Sequence, residues 1–443
     1  MYAYAFEEIY METSLQKNIL KDQIILEFES SKHSLFGDLS IRKKAIESFS
    51  KQGIPNRKQE EYKYLNIEAV LKEEFAITIN KTLTCEQIDH LKILKGAYVV
   101  VIENGLFIEG LSKLKDLQKG LTICSLAQAA KTHSAAFEKH YSKYADIESD
   151  IFIGLNTAIA KDGAFIHIAM NTVVEKPIHI IHISTSNRNS IIHPRHLIVV
   201  EKNVQSLIVE SFETVDSNAK TFNNAFSEIV VGENSIVDYY KIQDENKLGY
   251  LLNTTQITLK HQSIFSTHTF TLSGMLVRNN LNLVLDDEGI ESHLLGLYLT
   301  TDNQVVDNHT TVDHRKPKCN SNELYKGIID GKSTATFNGK IFVRKDAQKT
   351  NAFQSNKNIL LSDDGTINTK PQLEIYADDV KCSHGTSTGK LDEEKIFYLR
   401  ARGLSEDSAK KLLMHAFASE IVNTIKNEDL REYIEHKIST RFI

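Results

Sequence analysis

Short runs of β-branched and aliphatic residues, broken by Asn, Asp or Gly, fill the middle of the chain. HLIVVE (196–201), SEIVV (227–231), LNLVL (281–285) and GKIFV (339–343) are four of them. In the third, Leu281, Leu283 and Leu285 alternate with Asn282 and Val284, a period of two. That period puts alternate side chains on one face of a strand, and Asn, Asp and Gly favour turns. The pattern predicts strands from about Ala164 to Val380. No amphipathic stretch of helical length separates them, which disfavours a doubly wound α/β fold. IHIAMN (166–171), IVVEKN (198–203) and IVVGEN (229–234) each begin with Ile and end with Asn, and the final Asn residues lie 32 and then 31 positions apart. Strand and turn spacing alone would suit a β-sandwich equally well. The recurrence favours a solenoid, whose coils bury their inward faces on one another.

The flanks follow a helical period. Ser40 is a candidate cap for a helix with Ile41, Ala45 and Phe49 on one face, ending near Gly53 and Pro55. A strand-like patch, YVVVIENG (98–105), interrupts this region, and helical composition returns over 125–160. After Gly389, Asp392 caps a helix that Gly403 ends, and Ser405 caps the next. Ala409, Leu412, Leu413, Ala416, Phe417, Ile421 and Ile425 then form one apolar stripe, and Asp429 opens a last helix. Such a stripe ordinarily packs on its own domain; a docking surface for a partner is the alternative. The predicted organisation is mainly β: a helical region over 1–160, a parallel β-helix over 161–388 and a C-terminal helical region over 389–443.

Composition narrows the function. A net charge of −6 gives no basic surface for phosphate contacts, so nucleic acid is not an expected partner. No window approaches 18 consecutive apolar residues, so no membrane span is expected. MYAYAFEEIY lacks the basic start of a signal peptide, and residues 1–10 read as a candidate extension ahead of Met11. Cys85, Cys124, Cys319 and Cys382 are scattered, which fits a reduced, cytoplasmic chain. A self-contained iron–sulfur site draws several closely spaced thiolates. Any iron chemistry here would therefore share ligands with another subunit.

The chemistry concentrates in ADDVKCSHGTSTG (377–389). On an extended segment Cys382 and His384, two apart, share a side and can converge on a soft or borderline cation such as iron. Asp378 and Asp379 could attract Fe2+ or orient His384; turn or solvent roles are the commoner fate of such pairs. Cys319 could carry sulfur in transit, or be structural. His309 and His314 are five apart in a strand-like stretch and lack further zinc ligands at a defined spacing. GIIDGKST (327–334) imitates a phosphate loop, but only Ile328, Ile329 and Asp330 separate its first Gly from the Gly-Lys pair, and a strand follows it. The chain is not expected to hydrolyse ATP.

Together these segments resemble the SufB/SufD family of iron–sulfur cluster assembly proteins, on its SufD branch. GIPNRKQEEYKY (53–64) is similar to the family's G-x-P-T-R-x-x-E-x-W-K-Y, with Asn56 for Thr and Tyr62 for Trp. HPRHLIVVEKNVQSLIVESF, SEIVVGENSIVDYYKIQDE and NELYKGIIDGKSTATFNGKIF look like its β-helix blocks, and QLEIYADDVKCSHGTSTGKLDEEKIFYLRARGL (372–404) is the most specific match. K-C-S-H-G after A-D-D points to the SufD branch. The resemblance implies a right-handed parallel β-helix and a non-enzymatic scaffold working with a SufB-like paralogue and the SufC ATPase. SufC would grip the C-terminal helices. A nascent cluster or iron would sit at the SufB–SufD interface, where His384 would be a ligand or iron-entry residue; Cys382, two residues away, is a second candidate ligand from its spacing rather than from the resemblance. No tightly bound cofactor is implied for the isolated chain, which would be able to homodimerise; a flavin on the assembled complex is compatible with the resemblance. The Tyr62 departure is expected to touch only helical packing. Two rival readings are a β-helix carbohydrate lyase using Asp313, His314 and Arg315, and an inert structural adaptor.

Overall fold

The computed structural model describes residues 20–71, 74–77, 82–215 and 217–441; the segment ahead of Met11 lies outside these. Strands alternate between two sheets. One contains Ala164–Ile168, Arg195–Val200, Thr221–Val231, Gly249–Leu259, Leu276–Leu285, Val305–His314, Thr334–Val343 and Thr366–Ile375 in spatial order. The other contains Ile178–Ser184, Gln205–Thr214, Ile236–Asp244, Ile264–Thr271, Glu291–Thr300, Asn320–Ile329, Thr350–Leu360 and Val380–Lys390. Neighbours within each series are parallel and one coil apart, giving a solenoid of about eight turns with helices at both ends. The four apolar runs singled out above all fall in the first sheet. Tyr98–Glu103 and Leu121–Ser125 extend the sheets back into the N-terminal third.

Stacking is legible rung by rung. Ile198, Ile229, Ile257, Leu283, Val312 and Ile341 pair in register to form one inward column, and all are buried. Burying each aliphatic side chain contributes about 1.5–3 kcal/mol, so this column is a principal source of cohesion. Coil length varies from 26 residues (Tyr250 to Leu276) to 32 (Thr334 to Thr366), which explains why the sequence repeat is faint. One corner recurs. Asn171, Asn203, Asn234, Gln262, Gly289, Lys318 and Lys349 all have positive φ, between 52° and 70°. Asn tolerates this conformation better than other non-Gly residues. Asn203 Nδ2 donates to Asn171 Oδ1 at 2.8 Å, and Asn234 Nδ2 donates to Asn203 Oδ1 at 3.2 Å. The three recurrent asparagines are thus a stacked ladder.

The helical regions cover the outer faces. Ala45, Ile46, Phe49, Phe152 and Leu155 pack on Phe222, Leu252 and Leu276 of the first sheet. Ala418, Ile421, Ile425, Leu430 and Ile434 pack on Val209, Tyr240, Phe270 and Leu297 of the second. Two helix details differ from expectation. Asp38, not Ser40, caps Leu39–Gln52, accepting the Ser40 N–H at 2.7 Å. Leu412 and Ala416 face outward while Met414, Ala418 and Val422 are buried, because 3–4 spacing fits two adjacent helix faces. Asp392 and Ser405 cap as expected. Tyr62 touches more than helices: its ring lies 4.5 Å from the Arg278 guanidinium of the first sheet as well as beside Phe152. No helix among the described residues is long and apolar enough to cross a membrane.

Candidate functional site at the last coil

Val380–Lys390 is the final strand of its sheet. Among the described residues it pairs only with Thr350–Leu360, so one edge is left without a strand partner. Its register sets Cys382 beside Ala352 and His384 beside Gln354. Cys382 packs against the lumen cluster, and partial burial raises its thiol above the ordinary range. Two residues on, His384 occupies the same face of the strand but is exposed, because no further coil covers it. The two side chains thus share the open mouth of the lumen. Beneath His384 lies a column that single-sequence reading missed. Gln354 Nε2 donates to Glu323 Oε2 at 2.6 Å, and both residues are buried. Burial pushes the Glu323 carboxyl up to about 7. Positions 323, 354 and 384 recur at the coil spacing, the one signal that could have linked them.

The remaining candidates do not converge on this point. Asp378 and Asp379 are exposed in the turn before the strand. There the Asp379 N–H donates to Gln348 Oε1 and its carbonyl accepts from the Lys349 N–H. Cys319 is fully buried, its thiol donating to the Asp287 carbonyl at 3.2 Å. His309 faces outward between Glu61 Oε2 (3.3 Å) and Asp307 Oδ1 (2.9 Å), whereas His314 is buried against Ser321 Oγ at 2.9 Å. An odd separation on a strand sends them to opposite faces. The same alternation splits the lyase candidates: Asp313 is held outside by Arg315 and Arg344 while His314 points into the lumen. In GIIDGKST, Gly327 lies inside a strand and Gly331 occupies a positive-φ turn, so no helix follows to hold phosphate.

A second exposed feature lies close in sequence. The helix Glu393–Ala401 buries only Ile396. Phe397 is 74% exposed, Tyr398 57% and, on the next helix, Leu412 49%.

Residues 182–417 match the family described as SUF system FeS cluster assembly, SufBD core domain. Residues 30–180 match the SufBD protein N-terminal region. The chain belongs to the SufBD family of iron–sulfur cluster assembly proteins, on its SufD branch. It is 32% identical over 399 residues to an iron–sulfur cluster assembly SufBD family protein of Synechocystis, covering 88% of each chain. It is 28% identical over 400 residues to the iron–sulfur cluster assembly protein SufD of Escherichia coli, covering 89% of this chain and 91% of that one. The SufD of Bacillus subtilis is 26% identical over 333 residues, 73% of this chain and 74% of that protein. The SufBD core match contains the whole unpaired strand and runs into the C-terminal helices, so both exposed features lie on family sequence.

Proposed function

We propose that the chain is a non-enzymatic scaffold subunit of SUF iron–sulfur cluster assembly, cytoplasmic, working with a SufB-like paralogue and a SufC-type ATPase. The observation that carries this reading is the unpaired terminal strand with Cys382 and His384 on one face. VKCSHGTSTGK is polar enough to stand in water and retains a full row of backbone donors and acceptors on one edge. A second β-helix adding its own strand there would seal the lumen mouth and complete a ligand set for the incoming iron or nascent cluster, which is cargo. Cys382, its thiol favoured by burial, loses its proton only as iron binds, and His384 offers an imidazole nitrogen. The apolar surface of Phe397, Tyr398 and Leu412 is the seat for the ATPase. Nucleotide binding there would shift the mouth between arrangements through differential contacts.

The test is His384→Ala in the co-expressed complex. Because the side chain is exposed, stability should change by no more than about 0.5 kcal/mol. Subunits should co-elute normally while cluster formation on the complex is lost. A normal cluster yield refutes the assignment.

A further inference from the structure

The segment GIPNRKQEEYKY (53–64) has no part in the function above, yet it is held firmly on the outer face of the first sheet. Arg278 Nη1 donates to the Glu61 carbonyl at 2.7 Å, Lys340 Nζ donates to the Glu61 carboxylate, and Lys370 Nζ donates to that of Glu60. Pinned there, the segment brings Arg57, Lys63 and Tyr64 to one cavity of about 460 Å3. The floor of that cavity is a rung of the solenoid. Tyr250, Leu276, Val305 and Thr334 follow one another in register across four strands. Leu276 belongs to the apolar cluster under the N-terminal helices, and Tyr250 and Val305 stand half-buried at its margin, where that cover stops.

Charge singles this cavity out. Elsewhere on the same face cations meet acids: Arg278 pairs with Asp307, Lys340 with Glu61 and Lys370 with Glu60. Arg57 and Lys63 form no ion pair among the described residues, and no carboxylate lines the cavity among them. Glu60 acts on Lys63 through space, but its own hydrogen bond goes to Lys370. A single solvated lysine or arginine is ordinary. Two of them over an apolar floor, with no acid in the walls, give a positive potential that the low-dielectric floor concentrates. The Lys63 Nζ also lies 5.4 Å from the centre of the Tyr64 ring, so cation and aromatic face stand at one edge.

We propose that this cavity binds a small planar aromatic ring bearing one anionic group, a phosphate or a carboxylate. The anion sits between Arg57 and Lys63, and the ring lies on Tyr250 and Val305 beside Tyr64. The volume falls within the about 300–1,000 Å3 of small-molecule sites. An inorganic anion would leave the apolar floor wet. A plain acyl chain would leave Asn66, Thr334 and Asn368, which also line the cavity, without partners. A ring with a polar edge satisfies both. The site is separate from Cys382 and His384, which lie on the last strand of the other sheet.

The probes are anilinonaphthalene sulfonate, whose fluorescence rises in an apolar site, and phenylnaphthylamine, the same rings without the anion. The full-length chain carries Phe397→Asp, so that the exposed apolar surface of the C-terminal helices takes up neither dye. One sulfonate dye per chain should bind, and the neutral dye at least about 10-fold more weakly. Arg57→Ala with Lys63→Ala should weaken the sulfonate dye at least about 10-fold and leave the neutral dye unchanged. Ala69→Trp, which fills the cavity from the exposed helix Ile67–Val70, should weaken both. All three positions are exposed, so melting temperatures should hold. Naphthyl phosphate or naphthoate should displace the dye while inorganic phosphate does not, and the stronger of the two identifies the preferred anion. No bound sulfonate dye, equal affinity for the two dyes, or unchanged affinity in the Arg57→Ala, Lys63→Ala chain overturns the proposal.

Discussion

Replacing Gly327 by Ala tests the lumen packing and the dismissal of GIIDGKST together. Gly327 sits beside Tyr298 in register, as Gly296 sits beside Tyr325. A methyl group on Gly327 would fall 2.2 Å from the Tyr298 ring and 2.6 Å from Asn358 Oδ1. The ring is 1% exposed. Its hydroxyl donates to Asn358 and accepts from Asn356 Nδ2 at 3.0 Å, so it cannot retreat without breaking both bonds. Overpacking costs about 1–3 kcal/mol, and each broken bond about 1 kcal/mol. The expected loss is about 3–5 kcal/mol. Gly389→Ala is the matched control, because nothing lies within 4 Å of its added carbon. A more restricted unfolded chain should leave that variant neutral or more stable by up to about 1 kcal/mol. Thermal unfolding reads the difference: at about 2–4 °C per kcal/mol, Gly327→Ala should melt roughly 6–20 °C below the control. Two variants melting within a degree of each other would refute the packing argument. A loss of nucleotide binding with no loss of stability would restore the phosphate-loop reading instead.

Two further outcomes follow from the site. Burial lifts the Glu323 carboxyl to about 7, so its stabilising protonated form is fully present below the ordinary carboxyl range and is lost as pH rises through 7. Glu323→Gln should therefore match the native chain near pH 5 and exceed its stability at pH 8.5 by on the order of 3 kcal/mol; parallel melting-temperature profiles across that range would sink this. Phe397→Asp alters a side chain that is 74% exposed, so it should change stability by no more than about 0.5 kcal/mol yet abolish co-elution with the SufC-type ATPase; full co-elution removes that seat.

Much of the architecture was legible because strands in a solenoid repeat their environment. Leu281, Leu283 and Leu285 read as one buried face and are one. The Asn spacing read as a turn recurrence and is a ladder of left-handed corners. The period was visible only where coils run to 31 or 32 residues; the shorter coils near Leu276 broke it. The site was half legible. Cys382 and His384 stand out because both lie on one short strand. Glu323 and Gln354 could not, since their proximity to His384 comes from stacking across whole coils. The cap at Asp38 and the exposed Leu412 were misread for a different reason: neighbouring residues of equal propensity compete, and only packing against the solenoid decides between them.

The asparagine ladder constrains how such a molecule can be altered. Neighbouring coils differ by single residues, 32 from Asn171 to Asn203 and 31 from Asn203 to Asn234, yet Ile198, Ile229 and Ile257 keep one inward column, so a residue added in a turn is absorbed there. One added within a strand would instead turn the rest of that strand's inward side chains outward. The rung with the fewest neighbours to hold it is the terminal one, and it is held on a single side.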